Sequence, residues 1–238
     1  LSCSASEKNL SPQNKENANR YYDLGLANLK DSDSQGALIN FQKAVEMDPQ
    51  NPSFYNGIGL AYLTREEFIL AAQNFMKALK LDSTLADVHN NLGSALAAQG
   101  KMEEAMMHFR EALKNPTYPT PENVYYNMGL IALNTQNYDQ ASGYFNQAIK
   151  VRAAFSPAYL QLGRISAYRG SKDLAVSYYL QALRFSPAYG EAKMALGRVY
   201  MEEGKIKLAR EKFQQIIDEE PFTPLAVQAR ELLKSLPQ

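Results

Sequence analysis

Six glycines fall at positions 25, 59, 93, 129, 163 and 197, separated by 34, 34, 36, 34 and 34 residues. Each is followed 12 residues later by an alanine: Ala37, Ala71, Ala105, Ala141, Ala175 and Ala209. An aromatic comes four residues after that, as Phe41, Phe75, Phe109, Phe145, Tyr179 and Phe213. Three residues on stands another small or aliphatic side chain, Ala44, Ala78, Ala112, Ala148, Ala182 or Ile216. A period of this length marks one supersecondary unit that cannot bury its apolar face alone and must stack on copies of itself.

The unit is clearest between Ala86 and Pro121. Leu92, Gly93 and Leu96 share one side of a first helix, and Ala105, Phe109 and Ala112 share one side of a second. Gly100 stands between them, where the chain must reverse; Gly170 and Gly204 hold the same place in their units. Asn51-Pro52, Thr120-Pro121 and Ser156-Pro157 each place a capping side chain before a proline suited to a first helical turn. Pro49, Pro187 and Pro221 follow second helices. The predicted architecture is all-α, with six helical pairs at 18–51, 52–85, 86–119, 122–155, 156–189 and 190–223. Leu225, Ala229, Leu232 and Leu233 keep helical spacing in 224–238 and predict a capping helix. Between the third and fourth units lies Asn115-Pro-Thr-Tyr-Pro-Thr-Pro121, whose prolines predict an extended link.

Spacing and residue types together resemble the tetratricopeptide repeat (TPR), from Ala18 to Thr223. The resemblance implies a right-handed superhelical solenoid whose first helices line a concave groove. The core register on those helices is read from Tyr21, Leu24 and Gly25, and the groove stripe lies beside it. That stripe is Tyr22, Leu26 and Leu29, then Asn56, Leu60 and Leu63, then Asn90, Ser94 and Ala97, then Tyr126, Leu130 and Leu133. Repeats five and six contribute Leu160, Arg164 and Ala167, then Met194, Arg198 and Met201. Any one of these apolar residues could equally pack against a neighbouring helix. As a set, Tyr22, Leu26, Leu29, Leu60 and Leu63 form a strip of the kind that marks a binding site. An amphipathic helix or extended apolar segment is the fitting guest, with Asn56 and Asn90 available to its backbone. The positions at which some members of the family hold cations for an acidic chain end carry none in the first three repeats; Arg164 and Arg198 could receive an acidic group in the second half.

Lys plus Arg equals Asp plus Glu at 25 each, so no basic surplus points toward nucleic acid. There is no apolar run long enough for a transmembrane helix. Of the two histidines, His89 takes the site of Tyr21, Tyr55, Tyr125 and Tyr159 and is expected near the core, with His108 on the outer surface. Neither has partners at zinc-ligand spacing, and no nucleophile elbow, Walker loop, zincin or dinucleotide motif is present. The expectation is a binding protein without catalysis, metal or cofactor.

The single cysteine, Cys3, sits in Leu1-Ser2-Cys3-Ser4 ahead of a polar stretch. This resembles the end of a bacterial lipoprotein signal, implying acylation of Cys3 and anchorage in a lipid bilayer. Residues 1–17 are then an anchor and flexible tether, Ser4 to Asn17 spanning about 20 Å as a coil. Six repeats behind a lipid-box cysteine, interrupted by Pro-Thr-Tyr-Pro-Thr-Pro, resemble the PilF/PilW-type pilotins of type IV pilus systems, the group that includes Tgl. That resemblance implies a monomeric lipoprotein on the periplasmic face of the outer membrane. It would bind secretin subunits and promote their localisation and multimer assembly, hence pilus biogenesis and twitching motility. The alternative is a general periplasmic TPR lipoprotein scaffolding peptidoglycan enzymes, distinguishable by what it recovers from solubilised envelope.

Overall fold

The structure is a computed structural model and describes residues 11–237. Among them are 13 helices and no strand, in two compact units that meet in sequence at Pro119 and Thr120. The first unit contains α1 (Pro12–Lys30), α2 (Ser34–Met47), α3 (Pro52–Thr64), α4 (Phe68–Leu81), α5 (Ala86–Ala98) and α6 (Met102–Leu113). The second contains α7 (Pro121–Asn134), α8 (Tyr138–Val151), α9 (Ser156–Tyr168), α10 (Lys172–Phe185), α11 (Gly190–Glu202), α12 (Ile206–Glu219) and α13 (Pro224–Ser235). In each unit consecutive helices pack as antiparallel pairs, and each second helix also packs on the first helix of the following pair.

The glycine and aromatic periods have a direct steric cause. A Cβ built on Gly93 would stand 2.6 Å from Cε1 of Phe109, well inside van der Waals contact. Gly25, Gly59, Gly129, Gly163 and Gly197 face Phe41, Phe75, Phe145, Tyr179 and Phe213 in the same way. The rings of Phe41, Phe75, Phe109, Phe145 and Phe213 are fully buried, as are the alanines that flank them in sequence. Each pair is thus locked by a ring packed against a bare stretch of the opposite backbone. The helix reversals share a second device: Ser32, Glu66, Gly100, Gln136, Gly170 and Gly204 all have positive φ. Glycine meets that need without strain at three of the six.

Several expectations need correction. Helix α1 begins at Pro12, where Ser11 accepts a hydrogen bond from the Asn14 backbone N–H, so 12–17 are helical and not flexible tether. Capping and a proline in the first turn start this segment although it has no apolar side chain to bury. Leu24, read as core, is 52% exposed, whereas Ile58, Leu92, Met128, Leu162 and Leu196 at the same register are buried. Ile58, Leu92, Leu162 and Leu196 lie on helices packed against a preceding pair of the same unit; among the described residues none precedes α1. The link after α6, expected to be extended, opens on a turn. Asn115 Oδ1 accepts from both the Thr117 backbone N–H (2.9 Å) and its hydroxyl (2.8 Å), and the Tyr118 N–H bonds Asn115 O at 3.2 Å. Asp82 and Thr84 make the same turn one pair earlier. The two extra residues follow the turn, and Tyr118 is buried. Leu1, Ser2, Cys3 and Ser4 lie outside the described residues.

At the C-terminal end of the second unit, α13 packs on α12 and α11. It buries Ala226 and Ala229 and brings Leu225, Leu232 and Leu233 onto the same cluster as Phe213 and Leu196.

Candidate functional site: the faces lined by the first helices

In the first unit, α1, α3 and α5 lie side by side, so stripe positions on each reach one common face. Leu26 is exposed there (39%), while Tyr22, Leu29, Leu60 and Leu63 are half-buried. Tyr22 is part of the wall: its ring tilts against Phe41 (centroids 5.5 Å apart) and Phe54 (5.3 Å). Burial, with the nearby Asp87 and Asp23 carboxylates, raises the pKa of its phenol, so it stays a neutral donor at physiological pH. The face therefore offers leucine edges and a tyrosine ring, with the Asp23 and Asp87 carboxylates nearby.

Asn56 plays a different part from the one expected. It is buried; its amide nitrogen donates to Asp87 Oδ2 (3.2 Å) and its oxygen accepts from Asn91 Nδ2 (3.1 Å). It ties α3 to α5 below the surface and is not offered to a guest. Asn90 is half-buried, and its backbone oxygen accepts from the Ser94 hydroxyl at 3.0 Å.

The second unit presents a separate face. Tyr126 is half-buried between Phe145 and Phe155 (centroids 5.6 Å from each) and its hydroxyl accepts from Gln161 Nε2 at 3.3 Å. Leu130 is exposed, but Leu160 and Met194 at the first stripe position of later repeats are buried. Arg164 pairs with Glu191 at 3.1 Å. A pocket of about 500 Å³ opens beside it, lined by Arg164, Arg198, Tyr179, Glu191, Met194 and Leu225 among others. Tyr179 is almost wholly buried, and desolvation pushes its phenol up to about 12. Sequence reasoning named Tyr179 only as the ring that seals its repeat; the available signal was a tyrosine where the other five repeats hold phenylalanine.

The two histidines, expected apart, meet. His89 on α5 and His108 on α6 stack with centroids 5.2 Å apart and Nδ1 atoms 3.0 Å apart. His89 Nε2 lies 3.1 Å from Ser83 O. Burial and the neighbouring His89 lower the pKa of His108, against the weaker pull of Glu111 and Glu104. Among the described residues no three His, Cys, Asp or Glu side chains are grouped to hold a metal, and no helix is long and apolar enough to cross a membrane.

Tetratricopeptide repeat models match residues 22–86, 56–119, 126–190 and 191–223. The chain belongs to the tetratricopeptide repeat family. TPR proteins are generally non-enzymatic scaffolds or adaptors that bind protein partners, and the all-α solenoid class expected from the sequence is the class observed. No curated protein sequence matches the chain. Among solved structures, PilF of Pseudomonas aeruginosa is similar, with a TM-score of 0.77 and 24% identity over 92% of this chain and 99% of that one. PilW, described as a widely conserved type IV pilus biogenesis factor, gives a TM-score of 0.78 and 21% identity over 90% of this chain and 98% of that one. MamA gives 0.59 and 26% over 72% of this chain and 93% of that one. The TPR fold of this protein is thus similar to that of type IV pilus biogenesis factors over nearly their whole lengths.

Proposed function

We propose that the protein is a type IV pilus pilotin, a TPR adaptor that binds secretin subunits and promotes their localisation and assembly at the outer membrane. The observation that carries this reading is the extent of the fold likeness: PilF and PilW are covered over 99% and 98% of their chains, with little left over on either side. The partly exposed strip of Tyr22, Leu26, Leu29, Leu60 and Leu63 supports it. A strip of leucine edges backed by a rigid ring suits an apolar or amphipathic segment of a partner, whose burial contributes about 25 cal/mol per Å² of apolar area. In this reading acylated Cys3 holds the protein on the periplasmic face of the outer membrane, and a single polypeptide couples anchor to partner.

The test is deletion of the gene in the source bacterium, followed by immunoblotting of heat-resistant secretin multimers and fractionation of the secretin. The expected result is loss of multimers and of surface pili, restored by the wild-type chain. Normal multimers in the deletion strain would refute the assignment, and recovery of cell-wall enzymes instead of secretin on affinity purification would move the protein to a different envelope machine.

A further inference from the structure

One edge of the second unit carries both an aromatic knob and an aromatic hollow. The turns that follow α8, α10 and α12 lie together at one end of the helix pairs, because α9, α11 and α13 pack side by side and all start there. In the third of these turns Phe222 is 97% exposed. The two earlier turns hold alanine at the same place, Ala154 and Ala188, both exposed, so the turn itself needs no ring. Nor does Phe222 sit on loose chain. The Thr223 backbone N–H and hydroxyl both donate to Glu220 O (3.1 and 3.0 Å), and Thr223 Oγ1 accepts from the Ala226 N–H (3.2 Å). The Arg230 guanidinium donates to Pro221 O. A single exposed apolar side chain is ordinary; a ring held out from a braced turn is preorganised for a contact.

The hollow lies between the other two turns. It is a cavity of about 440 Å³ whose lining includes Arg152, Phe155, Pro157, Phe185 and Tyr189. Phe155 is buried, Phe185 is 37% exposed and Tyr189 is half-buried, so a guest meets aromatic surface, which a phenyl ring packs against well. Charge differs in sign between the two places. Asp218, Glu219 and Glu220 lead into Phe222, against Arg230 and the buried Lys193 that pairs with Glu219. At the hollow, Arg152 pairs with buried Glu122 (3.3 Å), and Arg184 lies over the Phe185 ring at 5.7 Å from its centroid. Glu191, near Tyr189, is tied to Arg164. Among these residues the knob keeps an acidic excess and the hollow a basic one, which is the complementarity a contact between them requires.

We propose that the occupant of the hollow is a second copy of this chain: Phe222 of each copy enters the Phe155–Phe185–Tyr189 hollow of the other, forming a two-fold dimer. Knob and hollow share one edge with the α10–α11 turn between them. A two-fold axis passing by that turn therefore brings each knob to the opposite hollow at once. Pro187 and Ala188, which would meet their own copies there, are exposed and small. Each Phe222 ring buries about 150–250 Å², so the interface is at the small end for specific contacts and the dimer dissociates on dilution. The proposal uses the second unit alone and goes beyond the pilotin reading, whose family resemblance implies a monomer.

Sedimentation equilibrium of the full chain tests it. Between about 5 μM and about 500 μM the weight-average mass should climb from that of one chain toward that of two. Phe222→Ala should raise the dissociation constant about thirtyfold or more, with an unchanged thermal melt, since the two sister turns already hold alanine there. Arg184→Glu should weaken association several-fold, and adding Glu220→Arg should restore it. In a Cys3→Ser chain, Ala188→Cys should form a disulfide-linked dimer under mild oxidant, because position 188 lies beside its own copy at the axis. A wild-type chain still monomeric at about 500 μM would overturn the proposal, in favour of a lipid contact if Phe222 then binds it to phosphatidylglycerol vesicles. A Phe222→Ala chain that dimerises like the wild type would overturn it too. No disulfide at position 188 in a chain that still dimerises would overturn the two-fold arrangement.

Discussion

Replacing Gly93 by alanine adds one methyl group where α5 meets the ring of Phe109. The new Cβ would lie 2.6 Å from Cε1, 2.8 Å from Cδ1 and 3.0 Å from Cζ, against a favourable carbon–carbon separation of about 3.5–4.0 Å. The ring must therefore retreat by about 1 Å. Phe109, Ala105 and Ala112 have no exposed surface, so the ring cannot retreat without moving α6. Overpacking of this kind costs about 1–3 kcal/mol, while alanine in a helix interior is favoured over glycine by about 0.8–1.0 kcal/mol. A control separates the two effects. Gly143 lies in α8, where an added Cβ would have no atom within 4 Å, so Gly143→Ala carries the propensity gain alone and should stabilise. In urea unfolding followed by far-ultraviolet circular dichroism, Gly93→Ala should be less stable than Gly143→Ala by about 1–3 kcal/mol. Trimming the ring with Phe109→Leu should relieve the clash, so the double variant should lose less than the sum of the single losses. If Gly93→Ala is as stable as Gly143→Ala, or if the two changes at this contact add independently, the glycine–aromatic lock is not what sets the 34-residue period.

Leu26→Asp and Leu60→Asp should each weaken partner binding by about tenfold while leaving helicity unchanged, because one is exposed and the other half-buried on the strip; calorimetry against a purified secretin fragment measures this, and wild-type affinity in both moves the site elsewhere. Cys3→Ala should release the protein from the outer-membrane fraction into the soluble periplasm, and unchanged fractionation dismisses the anchor. Gln136→Gly should stabilise by about 1 kcal/mol, since Gln136 holds φ at 58° where glycine is unstrained; a lower melting temperature would count against strain at that turn. Because folding lowers the pKa of His108 below the ordinary histidine value of 6.5, the unfolded chain binds more protons in the window just under that value. Stability should therefore be fully present above it and fall as pH drops through the window, and His108→Asn should flatten that slope in acid-range melts.

The pairing of helices was legible because one steric contact, a ring on bare backbone, recurs six times and leaves glycine and an aromatic at fixed spacing. The stripe positions were legible as to side of helix but not as to depth. Asn56 looks like a surface amide until Asp87 and Asn91 are seen to take both ends of it. Leu24 follows the repeat register, yet it lies in the one pair with no described pair before it, so periodicity assigns it a neighbour it lacks. The start of α1 was missed because hydrophobic periodicity is silent over Pro12–Asn17. The Ser11-Pro12 step carried the same capping signal as Asn51-Pro52, where the serine or asparagine oxygen closes the first turn. The meeting of His89 and His108 was beyond reach, since it depends on the rotation of α6 against α5. Tyr179 was a visible departure from phenylalanine, but the pocket it lines exists only once α11 and α13 pack beside α9.

Docking of a secretin subunit on the leucine strip of the first unit is the step on which the pilotin assignment depends. The direct measurement is site-specific photocrosslinking in living cells, with the photoreactive residue placed at Leu26 or Leu60 on the strip and, for comparison, at the exposed Ile69 of α4. Adducts containing secretin from Leu26 and Leu60, with none from Ile69, are the predicted result. Secretin adducts from Ile69 alone, or none from any of the three while multimers still assemble, would contradict it.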